Sequence, residues 1–398
     1  MNLSTRITTL LGTGPDGGSD GWEVFLKSRA MIKAGTPVVE LTVGEHDILT
    51  AAPILQHMHA AAMDGHTGYA LVPGLDELRE TVATRVQKRT GVATTPDNVM
   101  ITPGGQSALF AAHTAVLDPG DTGMFLDPYY ATYPGTLRSV SAIPHAVQTR
   151  AEDAFQPRAA DLAAAAKATG ARSLLINSPN NPTGTVYGMD TMRGIADVCI
   201  EHDLWLISDE VYDTQVWDGD HISPRSLDGM QDRTLVIGSM SKSHAMTGSR
   251  CGWIIGPKDA IDCMVNLATN TTYGVPGYIQ HAARFGLEQG AAFETDIAAP
   301  FLRRREIARE ILGHQNTIGL IPAQGAMYLM LDIRATGLSG EDFAYALLDA
   351  HKIAVMPGES FGQAAGGHIR VAMTIDDTRF AESLTTLCTF AEGLANNR

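Results

Sequence analysis

The lysine at position 242 has the surroundings of a chemically active amine. It lies in Ser239-Met240-Ser241-Lys242, among small polar residues that follow an apolar run, and Arg250 comes eight residues later. The chain contains only seven lysines, and most lysines in proteins are solvated surface residues. A lysine that is shielded from water and close to other cations loses its proton more readily, so it can act as a nucleophile and then as a base.

Two further polar motifs follow apolar runs earlier in the chain. Asn180-Asn181-Pro182-Thr183-Gly184 comes after one run, and Ser208-Asp209-Glu210-Val211-Tyr212 comes after the next. Ligands of parallel sheets bind beyond the carboxyl ends of the strands. We therefore expect Asn177, Asp209 and Ser239 to meet at one crevice.

The elements that position these motifs are short apolar runs that alternate with helical patterns from about residue 95 to 260. This alternation predicts a mainly parallel sheet that is covered on both faces. Another helical pattern lies near Trp22–Lys33, within an otherwise loop-rich first 50 residues. The predicted strands are Gly123–Leu126, Ser173–Ile176, Leu204–Ile207, Leu235–Ile237 and Cys251–Ile255, and the predicted helices are Gly104–Leu117 and Met189–His202.

The composition is that of a soluble globular protein of about two to three domains, with 398 residues, 44% hydrophobic and 18% charged. A net charge of −15 disfavours nucleic acid as a partner, because an acidic surface repels phosphates. No apolar run approaches the ~18 residues of a membrane span, so we expect no membrane insertion. The N-terminus lacks the apolar core of a signal peptide, so we expect no signal peptide.

Several patterns are weak signals for chemistry. Without any CxxC pair, the four cysteines are predicted to be reduced, buried thiols of a cytoplasmic protein. Two histidines lie two positions apart, which on a helix do not face each other, so we expect no metal site. An arginine run in a charged helical pattern is predicted to be a solvated face. The cysteines are Cys199, Cys251, Cys263 and Cys388, the two histidines are His57 and His59, and the arginine run is Arg303, Arg304 and Arg305.

Two short motifs match catalytic or binding patterns without their context. Gly12-Thr13-Gly14-Pro15-Asp16-Gly17 matches GxGxxG, but Pro15 removes an N–H donor and Asp16 repels phosphate, so a flexible loop is predicted. Gly358-Glu359-Ser360-Phe361-Gly362 matches GxSxG, the nucleophile turn of serine hydrolases. The last histidine is His368, and no acid lies between Ser360 and it, so the required order of the triad fails.

The three polar motifs and Arg250, in this order and at these spacings, resemble the class I and II aminotransferases among the fold-type I enzymes of pyridoxal 5'-phosphate. The resemblance runs from about Gly44 to Arg370. It implies an α/β fold, with a mainly parallel sheet in a large coenzyme-binding domain and a smaller α+β domain built from both chain ends. The expected boundaries are 1–50 for the arm and part of the small domain, 51–297 for the large domain and 298–398 for the rest.

The resemblance also implies how the coenzyme is held. Lys242 would bind it covalently and move protons, Asp209 would pair with the ring nitrogen and keep it protonated, and Tyr130 would stack on the ring. The remaining implied residues act on the ring oxygen (Tyr212 and Asn181), on the phosphate (Gly104, Gly105, Gln106, Ser239, Ser241 and Arg250) and, through the segment around Tyr69, on the phosphate site of a neighbouring subunit. A homodimer with shared active sites is therefore expected.

Arg370 is the implied ligand of the substrate carboxylate, with Gly44, Tyr130 and Asn181 beside it, because a guanidinium binds a carboxylate through two parallel hydrogen bonds. The family usually reads Gly-Glu-Pro-Asp where this chain has His46 as the third residue, a departure that bears on specificity. Residues 267–276 contain no arginine or lysine, which favours neutral or aromatic amino acids over dicarboxylic ones.

The sequence thus predicts a transaminase that exchanges an amino group between an L-amino acid and a 2-oxo acid by a ping-pong mechanism. A lyase that performs β-elimination or C–S cleavage on the same fold is the alternative that the motifs leave open. A coenzyme-binding sensor fused to a DNA-binding module is disfavoured by the acidic charge and by the short segment before the first matching motif.

Overall fold

The structure of the protein is a computed structural model that describes residues 1, 3–8, 10 and 22–396. The GxGxxG motif at residues 12–17 lies outside the described residues. The helices are α1 (Thr5–Thr8), α2 (Trp22–Lys33), α3 (Ala52–Met63), α4 (Asp76–Thr90), α5 (Gly105–Val116), α6 (Tyr133–Ser139), α7 (Ala159–Thr169), α8 (Met189–Glu201), α9 (Met240–Ser243), α10 (Lys258–Thr269), α11 (Gly277–Glu288), α12 (Gly290–Gly313), α13 (Gly340–His351) and α14 (Asp377–Asn396). The strands are β1 (Val39–Glu40), β2 (Val99–Thr102), β3 (Thr122–Asp127), β4 (Ile143–Gln148), β5 (Ser173–Asn177), β6 (Trp205–Asp209), β7 (Thr234–Ser239), β8 (Gly252–Ile255), β9 (Gly319–Leu320), β10 (Tyr328–Asp332), β11 (Ile353–Ala354), β12 (Met356–Pro357) and β13 (His368–Ala372).

A seven-stranded sheet forms the centre of the larger part of the molecule, in the order β2-β8-β7-β6-β5-β3-β4. The five strands from β4 to β7 in this order pair in parallel with one another, whereas β8 runs antiparallel to both β7 and β2. The prediction of an α/β fold with a mainly parallel sheet is therefore confirmed.

The central strands are apolar on both sides because helices cover both faces of the sheet. In β5, Leu175 packs into the core that includes α5, α6 and α10, while Leu174 and Ile176 pack on the opposite face against α7 and α8. A third core joins α3, α4 and α11 to β2 and β8. Polar side chains are thereby pushed to the strand ends, which is where Asn177, Asp209 and Ser239 lie.

The smaller part of the molecule is built from both ends of the chain. Its antiparallel sheet has the order β12-β13-β10-β9, and β1, from the N-terminal region, pairs in parallel with β11. The core of this part includes α13 and α14. The predicted smaller α+β part is confirmed, and its strand β13 carries Arg370.

The chain crosses between the two parts at residues 44–47. Before the crossing, Leu41 exchanges main-chain hydrogen bonds of 2.9 Å with Ala354 and Ala372 in the smaller part. After it, the Thr50 hydroxyl donates to the Ala245 carbonyl at 2.6 Å, in the larger part. The predicted domain boundaries at residues 50/51 and 297/298 remain predictions, and the second of them falls inside α12.

Candidate active site

A cavity of about 240 Å³ lies at the carboxyl edge of the large sheet, facing the smaller part of the molecule. Most of the residues that the sequence singled out line this cavity. They are Gly44, Gly105, Gln106, Tyr130, Asn177, Asn181, Asp209, Tyr212, Ser239, Ser241, Lys242, Arg250 and Arg370. Gly104 and Tyr69 are not among the lining residues. The strand-end crevice that the sequence predicted is thus a real cavity.

Lys242 lies in α9, a single helical turn that follows β7 directly. The Ser239 hydroxyl caps this turn by accepting the Ser241 main-chain N–H at 3.1 Å. The Lys242 amine donates a short hydrogen bond to the Gly44 carbonyl and lies 6.0 Å from the centre of the Tyr212 ring. The amine is therefore held at the point where the chain crosses between the two parts.

Asp209 is a buried carboxylate at the end of β6. It accepts a 2.8 Å hydrogen bond from the Tyr133 hydroxyl and a 3.3 Å hydrogen bond from the Val211 main-chain N–H. Burial raises the pKa of Asp209 to about 6, although both hydrogen bonds act in the opposite direction. A cation within the cavity would therefore stabilise the ionised carboxylate.

Two tyrosine hydroxyls meet on the wall of the cavity. The hydroxyls of Tyr212 and Tyr328 are 2.9 Å apart and buried. Gly44 packs against this pair, and a Cβ atom at that position would overlap the Tyr328 hydroxyl. Burial raises the pKa of Tyr212 well above its usual range, so its phenol is a neutral hydrogen-bonding group at physiological pH.

The first turn of α5 and the serines of β7–α9 form a polar end of the cavity. The main-chain N–H groups at the start of a helix have no partner within the helix, and the helix dipole favours an anion there. Gly104 caps α5 with a φ of 80°, and the Arg250 guanidinium packs so closely that a Cβ on Gly104 would overlap it. The Ser239 and Ser241 hydroxyls lie 2.9 Å apart.

Arg250 adds a positive charge to this polar end. Its guanidinium donates to the Thr247 carbonyl at 2.9 Å and to the Pro103 carbonyl at 3.4 Å. Among the described residues, no carboxylate lies within ion-pair distance of it. The Gln106 side chain is engaged elsewhere, with Thr132 and Thr136, so this residue offers the polar end its main chain only. This set of donors suits an anion such as a phosphate.

Arg370 is a buried guanidinium at the opposite side of the cavity. It donates to the Asn181 side-chain oxygen at 2.8 Å and, through a short contact, to the Thr42 carbonyl. The centroids of the Tyr328 and Phe361 rings each lie 4.4 Å from the guanidinium carbon of Arg370. The described residues place no carboxylate beside it, its Nε has no partner, and burial lowers its pKa. A buried, unpaired guanidinium is costly unless an anionic ligand binds it.

Tyr69 lies on the surface, where 92% of it is exposed, and packs edge-on against Tyr273 at 5.1 Å. The tyrosine therefore does not contribute to the cavity of its own chain. Its predicted contribution to a neighbouring subunit remains a prediction.

The motifs interpreted as weak signals have these positions. Ser360 is buried with no hydrogen-bond partner for its hydroxyl, so no histidine activates it. His57 stacks on Phe285 at 4.7 Å.

Within the described ranges, no group of three or more His, Cys, Asp or Glu side chains is arranged to hold a metal. Nor does any described helix combine the length and apolarity needed to cross a bilayer.

Two predictions about surface and burial were wrong. Arg303 is on the surface, but Arg304 and Arg305 are buried, because α12 turns them toward acceptors of the smaller part. Arg304 binds Asp47 and Asp377, and Arg305 binds the Ala323 carbonyl at 2.6 Å. Of the four free cysteines, Cys263 is exposed on the outer side of α10, whereas the other three are buried.

Several residues of the cavity wall were not predicted from the sequence. Apart from Phe361, which lies in the GxSxG match, these residues belong to no motif quoted above, and their proximity depends on packing between distant segments. A tyrosine inside an otherwise apolar strand, at position 328, was the one available signal, since buried tyrosines usually need a partner for the hydroxyl. The missed residues are Trp22, Val43, Leu109, Tyr133, Thr247, Tyr328, Met356 and Phe361.

Known proteins resemble this chain over almost its whole length. The family model described as aminotransferase class I and II matches residues 36–387. The chain is 38% identical to the arginine–pyruvate transaminase of Pseudomonas aeruginosa over 371 residues, 93% of each chain. It is 32% identical to the aspartate/prephenate aminotransferase of Thermus thermophilus over 366 residues, 91% of this chain and 93% of the other.

Solved structures agree with this similarity. The Thermus thermophilus aspartate aminotransferase with maleate superposes with a TM-score of 0.89 at 31% identity, covering 97% of this chain and 100% of that one. The aromatic aminotransferase of Pyrococcus horikoshii gives a TM-score of 0.86 at 30% identity, covering 92% and 99%.

These relatives are named aminotransferases, which supports the predicted transferase over the lyase alternative. The matched residues 36–387 include Gly44, the motifs around Asn181, Asp209 and Lys242, and Arg370. The chain belongs to the class I and II aminotransferase family and is an aminotransferase.

Proposed function

We propose that this aminotransferase holds pyridoxal phosphate on Lys242 and exchanges an amino group between an L-amino acid and a 2-oxo acid by a ping-pong mechanism. The observation that carries the proposal is that one cavity is lined by a lysine, a buried carboxylate and a buried guanidinium without an anionic partner (Lys242, Asp209 and Arg370). The first two suit the coenzyme, and the third suits a substrate carboxylate.

The residues present fit the coenzyme. The Asp209 carboxylate, with its raised pKa, would gain a cationic partner in the ring nitrogen. The main chain at Gly105, the Ser239 and Ser241 hydroxyls and Arg250 would hold the phosphate. Once bound, the coenzyme supplies an aromatic ring that accepts the electrons of the bond broken at the substrate Cα.

Lys242 acts as the base at the substrate Cα. Its amine takes the Cα proton of the amino acid in the first half of the reaction. In the second half it returns a proton to the corresponding carbon of the 2-oxo acid. The Gly44 carbonyl accepts a hydrogen bond from the amine and so orients it. Tyr212, Asn181 and Tyr130 hold the ring and exclude water around the reacting carbon.

Arg370 binds the α-carboxylate. A guanidinium offers two parallel N–H donors to a carboxylate and stays charged at any working pH. The Tyr328 and Phe361 rings, with their centroids 4.4 Å from the guanidinium carbon, restrict its plane, so the carboxylate and the Cα are placed in a defined orientation relative to Lys242.

Neutral or aromatic amino acids are the proposed amino donors, with a monocarboxylic 2-oxo acid as acceptor. The substrate side of the cavity is mostly aromatic and apolar, with Trp22, Tyr328, Met356 and Phe361. Among the described lining residues, the cations are Lys242, Arg250 and Arg370, each of which already has a proposed role. A second substrate carboxylate would therefore find no further cation among the described lining residues.

We further propose that two chains form a homodimer in which each provides Tyr69 to the other's phosphate site. The exposed tyrosine stands beside other exposed apolar side chains, Leu71 and Tyr273, which suits a protein interface. The four free thiols support a cytoplasmic location. An active, strictly monomeric enzyme in gel filtration would contradict the shared site.

Borohydride reduction followed by peptide mapping tests the coenzyme attachment. We expect the reduced coenzyme on the peptide that contains Lys242, and none on the Lys242→Ala variant. A panel of amino donors, including arginine, phenylalanine and aspartate, tested with pyruvate and with 2-oxoglutarate then identifies the substrates. Attachment to another lysine would refute the assignment of Lys242, and a strong preference for aspartate would refute the proposed substrate class.

A further inference from the structure

Asp127, the last residue of β3, is a buried carboxylate that joins the larger part of the molecule to the smaller part. Its side-chain oxygens accept the main-chain N–H of Gln363 at 3.0 Å and that of Ala364 at 3.2 Å. Both donors lie in the loop 358–367, which connects β12 to β13 in the smaller part. A side chain of the large sheet therefore binds the main chain of the loop that leads into the strand of Arg370.

Three further contacts fix the geometry of this junction. The Tyr129 main-chain N–H donates to the Phe361 carbonyl at 2.9 Å. Gly362, with a φ of 120°, lies so close that a Cβ atom on it would overlap the Asp127 carboxylate. On the side of the sheet, the Asp127 carbonyl accepts the main-chain N–H and the hydroxyl of Thr149, at 2.8 and 2.7 Å. The carboxylate is thus anchored to the large sheet and closely fitted to the loop.

Two aromatic residues of the active site lie next to the junction, one in each part of the molecule. Tyr130, which is proposed to stack on the coenzyme ring, follows Tyr129 directly and lines the cavity. Phe361 lines the same cavity, and its ring centroid lies 4.4 Å from the guanidinium carbon of Arg370. Loss of the junction would therefore free Phe361 to move relative to both Tyr130 and Arg370.

The charge of Asp127 is costly in this place. Burial raises the pKa of Asp127 to about 6, although the main-chain N–H groups of Ala364 and Gln363 act in the opposite direction. An apolar side chain of similar size would have no such cost, but it could not bind the two N–H groups of the loop. Carboxylates with perturbed pKa values are concentrated at functional sites. The position of Asp127 between the two aromatic residues agrees with such a role.

We propose that Asp127 is a positioning residue of the substrate site, which holds the loop 358–367 so that Phe361 restricts the plane of the Arg370 guanidinium. Asp127 does not line the cavity, so it acts through the loop and does not touch the substrate. The inference rests on the proposed role of Arg370 as the ligand of the substrate carboxylate. We therefore expect loss of the junction to weaken carboxylate binding while the coenzyme stays bound as before.

Two substitutions of Asp127 remove the junction in steps. Asp127→Ala removes both acceptors, whereas Asp127→Asn keeps one oxygen and turns an NH2 donor toward a main-chain N–H, so part of the junction remains. Glu359→Ala is the matched control, because Glu359 also accepts two main-chain N–H groups, those of Gly340 at 2.9 Å and Gly367 at 3.0 Å. All three residues of the control lie in the smaller part, so it loosens the same loop without breaking the junction.

The measurements are kcat/KM for the amino donor of highest activity among arginine, phenylalanine and aspartate, and the inhibition constant of the same compound without its amino group (3-phenylpropanoate for phenylalanine). For Asp127→Ala we expect kcat/KM to fall about tenfold and the inhibition constant to rise about tenfold, as for the loss of one hydrogen bond. The coenzyme spectrum and coenzyme affinity should change less than about twofold. Asp127→Asn should give about a threefold effect, and Glu359→Ala less than about twofold.

A double substitution tests whether Asp127 acts through Arg370. In the Arg370→Lys background, where the residue that it positions is already altered, Asp127→Ala should lower kcat/KM by less than about threefold further. A further tenfold loss in that background would show that the two residues act independently and would overturn the inference.

Two other results would also overturn it. One is wild-type kcat/KM and inhibitor affinity in a folded Asp127→Ala variant, or in Asp127→Asn if the alanine variant does not fold. The other is an equal loss in Glu359→Ala, because general loosening of the loop would then explain the effect. Arg370→Lys with the kcat/KM of the wild type is a separate result, which would refute the proposed role of Arg370 itself.

Discussion

Tyr133 donates a 2.8 Å hydrogen bond to the Asp209 carboxylate at the buried base of the active site. Tyr133 opens α6 and Asp209 ends β6, so the bond joins a helix to the central strand beneath the cavity. It lowers the pKa of Asp209 against the larger effect of burial, which raises it. The tyrosine thus helps to keep ionised the carboxylate that is proposed to face the coenzyme ring.

Tyr133→Phe removes this bond with little change in packing. We expect the pKa of Asp209 to rise further and kcat to fall about tenfold near neutral pH, with partial recovery at higher pH as the carboxylate ionises. The pH profile of kcat checks this expectation. Tyr187→Phe, which changes a buried tyrosine that does not line the cavity, is the control. A parallel loss of activity at every pH would contradict the electrostatic explanation.

Asp209→Asn should stabilise the coenzyme-free protein while it destroys transamination. Burial raises the pKa of Asp209 from 3.8 to about 6, so the folded state binds this proton more tightly than the unfolded state does. The wild type therefore loses up to about 3 kcal/mol of stability as the pH rises from about 4 to 6. The asparagine variant has no such loss.

Urea unfolding of the coenzyme-free proteins at pH 5 and pH 8 measures the difference. We expect the advantage of Asp209→Asn over the wild type to grow by about 1–1.5 kcal/mol between these two pH values. An advantage that is equal at both pH values, or that shrinks toward pH 8, would show that the buried carboxylate is not the cause.

Arg370→Lys should impair substrate binding and leave the coenzyme site intact. A lysine keeps the charge but loses the forked geometry and the stacking between Tyr328 and Phe361. We expect kcat/KM for amino donors to fall about a hundredfold or more, with an unchanged absorption spectrum of the bound coenzyme. Arg334→Lys, at an exposed ion pair with Asp332, is the control. Retained kcat/KM would exclude Arg370 as the carboxylate ligand.

Substitutions of Arg303 and Arg304 should differ sharply in their effect on the free energy of unfolding. Arg304 is buried and binds Asp47, Asp377 and the Met373 carbonyl, so Arg304→Met leaves a buried carbonyl and two partly exposed carboxylates unpaired and should cost about 2–3 kcal/mol of unfolding free energy. Arg303 is exposed and pairs with Asp377 alone, so Arg303→Met should cost less than about 1 kcal/mol. Chemical denaturation of both variants compares the two costs, and equal losses would contradict the structural distinction.

The helices and strands around the site were predictable from the sequence to within a few residues. The pattern near Met189–His202 became α8, Met189–Glu201, and Ser173–Ile176 became β5, Ser173–Asn177. These elements were predictable because their apolar periodicity is local. The prediction of a solvated face at Arg303–Arg305 was wrong because the burial of Arg304 is not a local property. The acceptors of Arg304 lie more than 60 residues away in sequence.

Local residue order was enough to determine the family, the parallel sheet and the strand-end residues Asn177, Asp209 and Ser239, because strand periodicity and short motifs are encoded by neighbouring residues. The tertiary structure decided which side chains contact one another. The Tyr133–Asp209 and Tyr212–Tyr328 hydrogen bonds, the aromatic rings around Arg370 and the contact between the His46 and Phe301 rings join segments that are distant along the chain. Such contacts depend on how the two parts of the molecule pack, and no local pattern encodes that geometry.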